Sequence, residues 1–75
     1  MNNDFYLKLG KQIKQRRRQL GLSQQELAEK LGISLNFIGK IEVAFSKPSL
    51  DTLIKIADGL NLTVSDLCNF NKIIK

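Results

Sequence analysis

Apolar residues recur at three- and four-residue intervals along this chain, and no alternating run lasts long enough to predict a strand. Five helices account for the pattern. The first spans about residues 4–20, with Phe5, Leu9, Ile13 and Leu20 on one side and Gly21 placed to stop it. The second opens at Ser23, which forms a capping box with Glu26: each side chain satisfies the other residue's free backbone N–H. Leu27, Ala28 and Leu31 form its buried stripe, and Gly32 ends it where the turn needs a positive φ. The third begins at Ser34 as N-cap. Phe37, Ile38 and Ile41 fall on one side, Asn36, Gly39, Lys40 and Val43 on the opposite side, and Leu35 at the edge. Ser49, just after Pro48, caps a fourth helix whose inner face is Leu50, Leu53, Ile56, Ala57 and Leu60. Asp51 in its first turn suits the helix dipole. Thr63 and Asp66 repeat the capping box and open a short fifth helix through Val64 and Leu67.

The second and third helices, joined by a tight glycine turn, read as a helix-turn-helix. The chemistry of that motif is insertion of its second helix into the major groove of DNA.

At 75 residues the chain has room for one small domain, 1–75, with its core from about 5 to 68. The tail 69–75 is either frayed or buries Phe70, Ile73 and Ile74 against another chain. The absence of His and the single Cys68 argue against a metal centre and rule out an internal disulfide, which fits a reducing cytoplasm. Cys68 reads as a small apolar filler. The N-terminus lacks a secretory pattern and no apolar run reaches membrane-span length, so a cytoplasmic chain with no membrane partner is expected. No phosphate-cradling glycine loop or nucleophile–base pair is present, and the size leaves no room for a substrate pocket. The sequence therefore predicts neither an enzyme nor a cofactor or small-molecule ligand.

Charge sharpens the picture. The net charge is +5, and residues 1–20 carry all of the excess, with six basic side chains against Asp4. The remainder holds six of each sign. A localised basic patch suits a polyanion, because each neutralised phosphate releases condensed counterions; a solvated helix face is the plainer reading.

Several short motifs recur together: Leu-Ser-Gln-x-Glu-Leu-Ala at 22–28, Leu-Gly-Ile-Ser at 31–34, Ile38 with Ile41 and Glu42, Pro48 with Ser49 and Leu50, and Leu53, Ile56, Ala57 and Leu60. In combination, over roughly residues 9–67, they resemble the Cro/repressor-like, XRE-type family of bacterial transcription regulators. The resemblance implies an all-α, five-helix, lambda-repressor-like domain that binds double-stranded DNA, usually as a homodimer on a palindromic operator. It implies base contacts for Leu35, Asn36 and Lys40. Asn36 suits adenine N6 and N7, Lys40 suits guanine O6 and N7 or a phosphate, and Leu35 suits a thymine methyl. It implies a phosphate contact for Gln24 at the start of the second helix. Ser34 either contacts phosphate or only caps its helix. Gly39 either lets the DNA backbone approach closely or is a neutral position. Arg17 and Glu42 match a buried ion pair tying the first helix to the end of the third, and Arg16 and Arg18 beside it are candidates for phosphate contact or solvation.

One departure stands out. Where the family carries a glycine and basic residues after Ile-Glu, this chain reads Val-Ala-Phe-Ser-Lys at 43–47. Ala44 puts the positive-φ turn in doubt, and Phe45 is expected first in the core, otherwise on the DNA sugar backbone or a partner. Tyr6 either packs or bonds a phosphate. The expected dimer surface lies around Ile54, Phe70, Ile73 and Ile74. The alternative function is an antitoxin-like or other protein-interaction module, with or without DNA binding.

Overall fold

A computed structural model describes residues 3–70. Among these, five helices follow in order: α1 (Asn3–Gln19), α2 (Gln24–Leu31), α3 (Leu35–Glu42), α4 (Leu50–Gly59) and α5 (Val64–Leu67). The caps stand where the sequence sets them. Ser23 and Thr63 form complete capping boxes with Glu26 and Asp66, and the Ser34 and Ser49 side chains accept from the N–H groups of Phe37 and Thr52. Gly21 and Gly32 take the left-handed conformation, with φ of 74° and 69°. These turns are short because each helix is stopped and restarted by local chemistry, and that shortness folds α2 back against α3.

The core draws on every helix. Leu9 and Ile13 of α1, Leu27 of α2, Ile38 and Ile41 of α3, Ile56 of α4, Leu67 of α5 and Leu60 just past α4 are fully buried. α1 packs on α3 and α5, while α2 packs on α3 and α4. α3 is thus held from two sides with its remaining face outward.

Three expectations change. Leu50, assigned to the inner face of α4, is 66% exposed. Burial along α4 reaches only Ile56 and Ala57, with Leu53 half-buried, so the stripe runs on past the end of the body it packs against. Phe45, expected first in the core, is 76% exposed. Its N–H and that of Ser46 both donate to the Lys40 carbonyl, at 2.8 and 3.2 Å, which turns the chain sharply and throws the ring outward. Ala44 makes that turn without glycine, at φ 64°. The left-handed conformation costs an L-residue roughly 1–2 kcal/mol. Ala44→Gly should therefore raise stability by about 0.5–1 kcal/mol after the added unfolded-chain entropy is subtracted, a few degrees in Tm. An unchanged or lower melting temperature would contradict this.

Phe70, expected on a dimer surface, packs on its own chain: its ring lies 5.5 Å from that of Phe5, edge-on, and Phe5 in turn meets Tyr6 at 5.1 Å. The half-buried Tyr6 ring packs there, with the Lys47 ammonium 5.2 Å from its centroid. Ile54 is half exposed, whereas Ile73 and Ile74 lie outside the described residues. Cys68 is half-buried beside the core, as a filler would be, and burial raises its thiol pKa.

Candidate nucleic-acid interface

The site is the outward face of α3 and the braces behind it. Ile38 and Ile41 anchor α3 inward. On the other side Leu35 is 45% exposed, Asn36 is exposed, and Gly39 and Lys40 are half-buried. The sequence places Leu35, Asn36 and Lys40 on one outward surface, and the structure does the same. The Lys40 ammonium sits 5.6 Å from the centroid of the exposed Phe45 ring, a cation–π distance that restrains its long stem. The Ser34 hydroxyl accepts from Phe37 N–H at 3.0 Å, so capping is realised at this position.

Behind this face lies a buried polar knot. Arg17 Nε donates to Glu42 Oε2 at 2.7 Å and its Nη2 donates to Oε1 at 3.1 Å, a two-point pair with side chains 7% and 1% exposed. Arg17 Nη1 also donates to the Leu22 carbonyl at 2.8 Å. Gln24 Nε2 donates to Glu42 Oε1 at 2.9 Å. One carboxylate therefore joins α1, the start of α2 and the end of α3. The ion pair matches what the resemblance implies; the Gln24 bond is an addition to it. Gln24 is not a freely solvated first-turn residue but an amide held from within.

Arg16 and Arg18 part company. Arg18 is exposed on an open furrow of α1 lined also by Lys11, Lys14, Gln15 and Gln19. Arg16 turns toward the end of α4, where its Nε donates to the Leu60 carbonyl at 2.9 Å and its Nη1 to Gln19. A candidate for phosphate contact or solvation, it also ties α1 to the turn between α4 and α5 through the first of these bonds.

Two supporting residues escape the sequence reading. Gly10 lies where α1 crosses the end of α3: a Cβ there would stand 2.5 Å from the Glu42 carbonyl oxygen and 2.7 Å from that of Ile41. Only a bare Cα permits this approach. Its signal was a glycine in mid-helix, which costs about 1 kcal/mol against alanine and so calls for a reason. Gln12 is 4% exposed, and its Nε2 donates to the Leu67 carbonyl at 2.6 Å. Its signal was a polar residue next to Ile13 on the inward side of α1.

Among the described residues no group of side chains is arranged to hold a metal ion, and no helix is long and apolar enough to cross a membrane.

Comparison with known proteins decides the family. The helix-turn-helix family matches residues 13–67, most of the chain. The chain belongs to this XRE-type helix-turn-helix family. The curated relatives it matches are named as transcription regulators. A cryptic-phage CTXphi transcriptional repressor, RstR of Vibrio cholerae, is 31% identical over 62 residues, 83% of this chain and 55% of the repressor. The restriction-modification controller protein C.AhdI of Aeromonas hydrophila superposes with a TM-score of 0.80 at 29% identity, covering 83% of this chain and 94% of that one. The biofilm regulator SinR, solved in complex with DNA, superposes at 0.77 with 35% identity, covering 81% of this chain and 98% of that one. This helix-turn-helix chain spans about half the length of the curated relatives it matches.

Proposed function

We propose that the chain is a sequence-specific DNA-binding transcription regulator that lays α3 in the major groove and binds a palindromic operator as a homodimer. The observation that carries this is the outward trio of Leu35, Asn36 and Lys40, standing on a helix pinned from behind by Ile38, Ile41 and the Arg17–Glu42 pair. A donor–acceptor amide, an ammonium and an apolar surface supply the chemistry that base edges in the major groove require. Gln24 at the α2 N-terminus and the exposed Arg18 supply phosphate contacts, which fix register without reading sequence. Two such units in a dimer would meet half-sites about one helical turn apart, ~34 Å.

Selection of duplexes from a random pool tests this directly. A palindromic consensus with that half-site spacing is the expected result, and equal binding to all sequences would refute it. On the selected duplex, Asn36→Ala and Lys40→Ala should each lose about 1–3 kcal/mol of specific binding while melting within a degree or two of the parent. A sharp fall in melting temperature would mean that the residue serves the fold and not the DNA.

A further inference from the structure

Gly39 stands in the middle of the outward face of α3, and nothing inside the chain explains it. Its backbone is not left-handed, since Gly21 and Gly32 are the only described glycines with positive φ. A Cβ at Gly39 would have only the Gln24 amide within reach, Nε2 at 3.9 Å and Oε1 at 4.0 Å, an ordinary contact. Alanine would fit, and it would favour the helix by about 1 kcal/mol. The glycine is therefore a cost to α3 that neither packing nor backbone geometry returns.

The gap it leaves has a floor, however. That floor is the Gln24 amide, fixed from behind because its Nε2 donates to the buried Glu42 carboxylate at 2.9 Å. One of the two Nε2 protons is committed there. The same Nε2 lies 3.9 Å from where a Cβ of the half-buried Gly39 would stand, on the outward side of α3. A methyl group at Gly39 would leave Gln24 where it is and stand over its amide.

We infer that Gly39 is an affinity-determining position: its missing side chain keeps open the approach of a DNA phosphate to the Gln24 amide. The inference rests on the DNA-binding reading above and adds a specific geometric requirement to it. It makes Gly39 and Gln24 one functional unit, although they lie on different helices and neither reads a base.

A double-mutant cycle measures the unit. The parent, Gly39→Ala, Gln24→Ala and the double variant are titrated by fluorescence anisotropy against the selected operator and an unrelated duplex, and each is melted. Gly39→Ala is expected to melt higher than the parent and to bind about tenfold more weakly, as the loss of a hydrogen bond to a charged group predicts. The loss should be similar on both duplexes, because a phosphate carries no sequence. In the Gln24→Ala background, Gly39→Ala should change affinity by less than about twofold. Parent-like binding by Gly39→Ala, or losses that multiply in the double variant, would overturn the inference while leaving the DNA-binding reading intact. A parent chain that binds neither duplex would overturn both.

Discussion

Arg17→Met is expected to lower folding stability by on the order of 3–5 kcal/mol, because it leaves the Glu42 carboxylate buried without its cation. A 75-residue domain has roughly 4–11 kcal/mol in total, so the variant should be partly unfolded at 37 °C. Urea unfolding monitored by circular dichroism gives the value. The loss comes from stranding a charge and not from forfeiting a strong attraction. Removing both charges, in Arg17→Met with Glu42→Leu, should accordingly recover much of it, since apolar replacement of a buried pair is often neutral. The double variant frees the Gln24 amide and should still bind DNA more weakly. If the single variant is as stable as the parent, the pair is solvated and α1 does not brace α3 through it.

Gly10→Ala should be the second most damaging change, although it adds only a methyl group. The atoms it meets are the carbonyl oxygens of Ile41 and Glu42 and the Glu42 carbonyl carbon, all backbone, and none can rotate aside. α1 must lift from the end of α3. Overpacking of this kind costs up to about 3 kcal/mol, and the helix-propensity gain returns about 1, leaving a net loss of about 2 kcal/mol. The melting temperature should fall by about 8–16 °C. Operator affinity should fall with it, because the displaced carbonyls belong to the last turn of α3, the helix proposed to enter the groove. Gly39→Ala is the internal control, as the same substitution in an open setting should raise the melting temperature. A Gly10→Ala chain that melts at or above the parent would show that α1 and α3 do not meet there.

What could be read from the sequence follows the range of the interactions. The N-caps at Ser23, Ser34, Ser49 and Thr63 and the turns at Gly21 and Gly32 are short-range chemistry, and the structure realises each of them. Periodicity alone separates the outward Asn36 and Lys40 from the inward Ile38 and Ile41, with Leu35 left at the edge. Leu50 and Phe45 mark where periodicity and hydrophobicity stop being informative: they indicate which face a residue takes, not whether anything covers it. Gly10 shows in the sequence only as a mid-helix glycine, which signals that something lies close but not what. For Arg16 and Gln12 it is the partners that are hidden. Their partners are backbone carbonyls 44 and 55 residues away, and backbone carbonyls have no sequence signature. The Gln24 bond to Glu42 joins positions 18 residues apart through a glutamine that looks like any exposed first-turn residue. The Arg17–Glu42 pair was legible only through the family resemblance, since spacing alone selects neither partner.

The amide of Gln12 reaches the carbonyls of Asp66 and Leu67 at the end of α5 and that of Asn69 just beyond it. A helix of four residues cannot sustain itself in water. The fifth helix is therefore borrowed structure, wound on a template that the opening helix provides. A peptide that begins at α2 would lack that template, and its last turn should unwind even though every residue of it is present.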